Sequence, residues 1–159
     1  ARPHKPAEAV ALVEIADAAR VLASSHLRSC VLRTEIDPEL TIEAPKGEIA
    51  QVLTNLLVNA AQAGASTIAL RGRREADGVA LDVVDDGSGL DEALAERLFE
   101  AFVSTKGADG TGLGLAISRE IAERHGGGLR HLPAAEGAVF RLSLPAASSD
   151  SAAEWSAAG

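Results

Sequence analysis

A run of thirteen uncharged residues, from Gln51 to Ala63, constrains the fold of this chain more than any other segment. Apolar residues in and just before it recur at helical spacing and share one face: Ile49, Leu53, Leu56, Leu57 and Ala60. The other side carries four amides, Gln51, Asn55, Asn59 and Gln62. Lysine and glutamate, which a solvated face normally carries, form helices better than asparagine does. The pattern predicts a helix from about Gly47 to Ala63, closed by Gly64, with one face in the core.

The amide face has two explanations that the helix alone does not separate. Neutral oxygens suit a half-buried site for a hard cation such as Mg²⁺, which takes oxygen ligands and keeps several waters. A buried helix whose amides bond to neighbouring backbone fits the same residues equally well.

The remaining periodicity predicts an α/β protein, a two-layer sandwich with helices over one face of a mixed sheet. Predicted helices span about Leu12 to Leu27, Glu92 to Phe99 and Leu113 to His125, the last one ending at Gly126-Gly127-Gly128. The predicted strands are Val31–Ile36, Leu40–Glu43, Ser66–Glu75, Val79–Val84, Leu129–Leu132 and Ala138–Leu144, with a tight turn at Asp77-Gly78. Residues 1–6 are expected to be linker, 7–145 the domain and 146–159 a disordered tail.

Charge and composition argue against several classes of partner. The formal net charge is −8 and no basic block occurs, which argues against nucleic acid and against direct contact with an anionic membrane. No apolar run has the length of a membrane span, and Cys30 is the only cysteine. We therefore expect a cytoplasmic domain that is monomeric in isolation.

The loop Asp85-Asp86-Gly87-Ser88-Gly89 follows the apolar strand that ends at Val84. Its glycines let the backbone turn sharply and approach a flat ligand. The carboxylate of Asp85 accepts hydrogen bonds only, so it pairs with an exocyclic amine such as adenine N6. Guanine presents a carbonyl oxygen at that place, and the loop therefore favours ATP over GTP. Taken alone, such a string is more often a plain turn.

A second glycine-rich segment, Gly110-Thr111-Gly112-Leu113-Gly114-Leu115, leads directly into a predicted helix. Exposed amides and the positive end of the helix make it a candidate phosphate seat. It is not a P-loop, because no Gly-Lys-Ser/Thr closes it. Lys106 is the only basic residue between Leu98 and Ser118, and it is either a γ-phosphate contact or an ordinary solvated lysine.

Together the segments resemble a known family. Asn55 to Ala60, Asp85 to Gly89, Leu98 to Phe102 with Ser104-Thr105-Lys106, and Gly110 to Leu115 are similar to the N, G1, F and G2 boxes of sensor histidine kinases. That family shares a superfamily with type II topoisomerases, heat-shock chaperones and mismatch-repair ATPases. The resemblance covers Val10 to Pro145 and implies the Bergerat-type ATP-binding fold.

The resemblance also implies individual roles. Asn59 would ligate Mg²⁺, Asn55 would hold the metal-bound phosphates, and Asp85 would bind adenine. Asn55 and Lys106 would be the catalytic residues. The other implied nucleotide contacts are the purine-pocket residues Gly87 and Gly89, the lid anchors Phe99 and Phe102, the lid residue Thr105, and the phosphate-loop residues Gly110, Thr111, Gly112, Leu113 and Gly114. The lid would run from about Val103 to Asp109. Gln62 departs from the family, since many members carry a phosphate-binding lysine there.

The leading function implied is transfer of the ATP γ-phosphate to a histidine on a separate helical dimerisation domain, with a response regulator downstream. No histidine here precedes an acidic residue on a long helix, as an acceptor would: His4, His26, His125 and His131. A stand-alone ATPase of the superfamily would need a water-activating glutamate where Asn55 stands, and a carboxamide is no general base. The same boxes would also fit an anti-sigma-factor serine kinase. A non-catalytic binding module is a fourth alternative, which the intact boxes do not favour.

Overall fold

The computed structural model describes residues 9–76, 78–88, 114–132, 134 and 137–145. The helices are α1 (Leu12–Leu22), α2 (Lys46–Gln62) and α3 (Gly114–Arg124), with a short 3-10 helix at Ser24–His26. The strands are β1 (Ala9–Ala11), β2 (Val31–Ile36), β3 (Thr41–Glu43), β4 (Thr67–Glu75), β5 (Gly78–Asp85), β6 (Gly128–Leu132) and β7 (Ala138–Leu144). The linker, the helix near Glu92–Phe99, the lid and the tail predicted from sequence lie outside these residues.

The main sheet has five strands in the order β2-β4-β5-β7-β6. β2 runs parallel to β4, and every other neighbouring pair in the sheet is antiparallel. β1 and β3 form a separate two-stranded ladder. α2 contacts both α1 and α3, and the three helices share one hydrophobic core with the sheet. The predicted α/β sandwich, with helices on one face of a mixed sheet, is confirmed.

Most predicted elements are present, but in the first forty residues one predicted helix is too long and one strand was not predicted. The bounds of β2 and β7 match the prediction, and Gly64 follows α2 with a positive φ of 85°. The helix predicted to reach Leu27 ends at Leu22. Ser24 and Ser25 follow Ala23, and from Ser24 to His26 the backbone forms a 3-10 helix instead of continuing the α-helix. The strand Ala9–Ala11 was not predicted, since three small residues give no periodic signal and the strand depends on pairing with β3.

The outer face of the sheet, opposite the helices, carries an unbroken row of charged residues. Residues directly opposite each other share a face, so the strand registers align one residue from each of the five strands. From β2 to β6 the row reads Glu35, Arg71, Asp82, Arg141 and Arg130. The row lies on the outer side of the sheet, whereas the alternate β5 residues Val79, Leu81 and Val83 belong to the core that the helices share.

Asp82 is the centre of that row. Its side chain is 9% exposed, and Arg141 donates to both carboxylate oxygens at 2.8 and 3.0 Å. Arg73 donates a third hydrogen bond at 3.2 Å. Burial acts to raise the pKa of Asp82, but the hydrogen bonds and charges of Arg141 and Arg73 hold that pKa below its ordinary value. The carboxylate therefore stays ionised and links β4, β5 and β7.

Replacing Asp82 by Asn should lower the free energy of unfolding by about 1.5 to 3 kcal/mol, because two arginines lose a charged acceptor. The folded-state pKa of Asp82 is lowered, so its stabilisation is present above the unfolded-state pKa and is lost as pH falls through the folded-state pKa. Denaturant unfolding at several pH values measures the difference in the free energy of unfolding between wild type and Asp82→Asn. That difference should be full at neutral pH and should become smaller in acid. Glu35→Gln, at the exposed end of the row, is the control and should cost less than about 1 kcal/mol. Equal losses for the two variants would contradict the central role of Asp82.

Candidate nucleotide-binding site

The candidate site lies where β5 ends. Asp85 is the last residue of β5 and is only 6% exposed, which is unusual for an aspartate. The loop that follows packs on the end of α2, where the Ser88 amide donates to the Ala63 carbonyl oxygen at 3.0 Å. A Cβ atom on Gly87 would lie 2.8 Å from the same oxygen. The loop can approach α2 this closely because residue 87 has no side chain.

Two backbone amides orient the carboxylate of Asp85. The Gly87 amide donates to Oδ1 at 2.8 Å, and the Ala138 amide donates to the same carboxyl group. Burial raises the pKa of Asp85 above its ordinary value, although these two hydrogen bonds act to lower it. The neighbouring Asp86 adds to the rise, and His131 opposes it. The result is a buried carboxyl group that two backbone amides hold in place.

The adjacent Asp86 makes hydrogen bonds to the backbone at the start of β4. Its Oδ1 accepts from the Ser66 amide at 2.7 Å and from the Thr67 amide at 3.0 Å. These hydrogen bonds, first from Thr67 and then from Ser66, lower the pKa of Asp86, which is exposed. Asp86 therefore fastens the loop to the start of β4.

Gly137 belongs to the site, although no pattern in the sequence assigned it a role there. It has a positive φ of 67°, and a Cβ atom on it would lie 1.8 Å from the Asp85 carbonyl oxygen. Only glycine tolerates both the backbone conformation and this approach. The contact brings the Ala138 amide to the Asp85 carboxylate. The one signal in the sequence was a glycine directly before a strand.

The amide face of α2 divides into two pairs. Asn55 and Asn59 are half-buried, whereas Gln51 and Gln62 are more open to solvent. The Asn55 amide nitrogen donates to the hydroxyl oxygen of Ser118 on α3 at 3.1 Å, a residue that sequence reasoning missed. A Cβ atom on Gly114 would lie 3.9 Å from the Asn55 carboxamide. The fold therefore brings the start of α3 against the middle of α2.

Five of the predicted site residues lie in the described part of the chain: Asn55, Asn59, Asp85, Gly87 and Gly114. α2 joins them, since Ala63 contacts the loop after Asp85 and Asn55 contacts α3. The other predicted site residues lie outside the described residues: Gly89, Phe99, Phe102, Thr105, Lys106, Gly110, Thr111, Gly112 and Leu113.

Comparison with known proteins identifies the class. The model of the family described as histidine kinase-, DNA gyrase B-, and HSP90-like ATPase matches residues 46–148. The chain belongs to this family of ATP-binding ATPase domains. Within the described ranges, no helix combines the length and apolar content that a membrane crossing requires.

The curated relatives are sensor histidine kinases. The chain is 37% identical over 127 residues to nitrogen regulation protein NtrY of Azorhizobium caulinodans, covering 73% of this chain and 16% of NtrY. It is 38% identical over 137 residues to sensor protein FixL of Bradyrhizobium diazoefficiens, covering 79% of this chain and 26% of FixL. The chain thus spans between about a sixth and a quarter of these relatives.

Solved structures agree with the sequence relatives. The catalytic domain of histidine kinase ThkA superimposes with a TM-score of 0.80 at 31% identity, covering 91% of this chain and 97% of that domain. The mycobacterial sensor histidine kinase MprB gives a TM-score of 0.79 at 25% identity, covering 88% of this chain and 99% of the MprB chain. The fold is that of a histidine kinase catalytic domain.

Proposed function

We propose that this domain binds Mg-ATP and delivers the γ-phosphate to a histidine on a helical dimerisation domain of the same protein, which passes it to a response regulator. The observation that carries the proposal is the buried Asp85 carboxylate, held by two backbone amides beside the glycine loop. A buried charge of this kind is costly unless a ligand or the protein donates to it. Adenine N6 is a donor of the right kind, and guanine offers an acceptor instead.

Mg²⁺ suits the donors on α2. Asn55 and Asn59 are one turn apart on the helix, and both are half-buried. The described residues contain no group of three or more His, Cys, Asp or Glu side chains that could hold a metal. Asn59 would contribute a neutral oxygen, with the phosphates and water completing the shell. When bound, the ion would neutralise charge on the triphosphate.

The glycine-rich start of α3 would receive the phosphates. Gly114 begins α3 and lies beside Asn55, so phosphates there would be close to the amide face. Free backbone amides and the positive helix end favour an anion at such a terminus. Lys106 and Thr105 in the lid, with Phe99 and Phe102 at its base, complete the proposed contacts on the strength of the family pattern.

Phosphotransfer explains the site better than self-sufficient hydrolysis does. Asn55 stands where related ATPases place a glutamate, and its amide nitrogen already donates to Ser118. A carboxamide cannot take a proton from water. The three histidines in the described ranges have other settings: His26 lies in the 3-10 helix, His125 bonds to Glu48, and His131 packs against Phe140. The acceptor histidine would thus come from another domain.

The Asp85→Asn variant should lose roughly tenfold or more in ATP affinity, because a charged acceptor is removed and the new amide group meets donors. Calorimetry with ATP and GTP measures this, and wild type should prefer ATP. Asp86→Asn is the matched control, since its remaining oxygen can still accept from Ser66 and Thr67. Unchanged ATP affinity in Asp85→Asn would remove this residue from the base pocket.

Ile117 provides a test of whether the helical domain that carries the acceptor histidine docks on α3. It lies on α3 one turn after Gly114 and is 41% exposed, so it presents an apolar contact beside the proposed phosphate seat. Ile117→Ser removes the apolar side chain without adding charge beside the triphosphate, so it should slow transfer of labelled phosphate to the parent protein's histidine hairpin added in trans and leave ATP affinity unchanged. Val31→Ser, on the distant edge strand and 62% exposed, should leave both unchanged. Equal transfer by the two variants would show that the hairpin does not dock on this face of α3.

A further inference from the structure

His131 on β6 lies on the helix side of the sheet, the same side as Asp85. It is directly opposite Phe140 on β7, and Phe140 is opposite Val83 on β5. Residues opposite each other share a face, and Val83 and Phe140 both belong to the core that the helices cover. Asp85 comes two residues after Val83 on β5, so its side chain shares that face with His131.

β7 connects His131 to the surroundings of Asp85. The imidazole packs against the Phe140 ring, with 5.3 Å between the ring centroids and a tilt of 60° between the planes. Two residues before Phe140, the Ala138 amide donates to the Asp85 carboxyl group. His131 is half-buried, so solvent and salt screen its charge less than that of an exposed histidine.

His131 and Asp85 act on each other electrostatically. Burial lowers the pKa of His131, and the negative charge of Asp85 opposes that change. Burial is also the main cause that raises the pKa of Asp85, and the charge of His131 acts to lower it. When the solution becomes acidic and the imidazole takes up a proton, its positive charge therefore favours the ionised form of Asp85.

The elements packed around this pair bring few other charges to the helix side. α2 is uncharged from Ile49 to Gln62. Arg130 and Arg141, on β6 and β7, lie in the row on the outer face of the sheet. The charged residues of α3 in the described part of the chain are exposed: Arg119, Glu120, Glu123 and Arg124. His125, which follows α3, bonds to Glu48. Asp86 is negative and acts on Asp85 in the sense opposite to His131.

We propose that His131 assists nucleotide binding through Asp85: in mildly acidic solution its imidazolium keeps the Asp85 carboxylate charged and able to accept from the base. This inference rests on the proposed function. A protonated carboxyl group carries a hydrogen of its own, which would meet the adenine amine donor to donor. His131 is thus a positioning residue, which acts on the charge of Asp85 and not on the nucleotide.

The first test measures the affinity for Mg-ATP by calorimetry on the whole chain, from slightly alkaline to mildly acidic pH. Each protein is compared with its own affinity at alkaline pH, and the midpoint of the fall in acid is recorded. His131→Phe keeps a ring against Phe140 but has no charge, so its midpoint should move to higher pH by roughly 0.3 to 1 pH unit. Protonation of ATP itself is common to all the proteins and does not contribute to this difference.

Two variants serve as controls for the midpoint. Asp86→Asn removes a negative charge beside Asp85, so its midpoint should move in the opposite direction, to lower pH. His26→Phe makes the same substitution at an exposed histidine in the 3-10 helix and should leave the midpoint unchanged.

The second test follows the histidine rings by NMR without nucleotide. In Asp85→Asn, His131 should titrate at lower pH than in wild type, because the charge that favours the imidazolium is gone. The His26 signal should titrate as before. His131→Phe identifies the His131 signal by its loss.

The outcomes separate this inference from the proposed function. A wild-type midpoint in His131→Phe, or an unchanged His131 titration in Asp85→Asn, would overturn the inference alone. An equal upward movement of the midpoint in His26→Phe would overturn it too, because the effect would not be specific to His131. Wild-type affinity that does not fall in acid would remove the Asp85 charge from nucleotide binding, and would overturn the proposed role of Asp85 together with the inference.

Discussion

The burial of one carboxyl group, that of Asp85, imposes most of the requirements that its surroundings meet. Because it is 6% exposed, it needs donors close by, and the backbone supplies them from residues 87 and 138. Each donor arrives through a close backbone approach that a side chain would block, at Gly87 against Ala63 and at Gly137 against Asp85 itself. Gly87 and Gly137, which are far apart in the sequence, thus both allow backbone donors to reach the Asp85 carboxyl group.

α2 connects the loop after Asp85 to the rest of the domain. Its apolar face is buried against the sheet and α1, which fixes the position of its other face. Ala63 at its end holds the loop after Asp85, and Asn55 in its middle holds α3 through Ser118. The proposed base pocket and the proposed phosphate side are therefore set by one rigid helix.

The sequence predicted what depends on local pattern. Period-two alternation located β2 and β7, helical spacing located α2, and Gly64 marked where α2 stops. It could not predict contacts that depend on which distant segments meet, such as Gly137 against Asp85 and Ser118 against Asn55. The strand β1 was missed for the same reason, since three residues form a strand there only because β3 pairs with them. The lid residues around Lys106 stay a prediction.

If the proposed function is correct, this domain binds ATP, but the histidine that receives the phosphate is on another domain. The most direct test incubates the purified domain with Mg²⁺ and γ-labelled ATP and follows free phosphate and labelled protein over time. We expect the bound nucleotide to be recovered as intact ATP, with only trace release of phosphate and no label on the chain. Steady hydrolysis at the rate of an ATPase, or stable label on this chain alone, would contradict it.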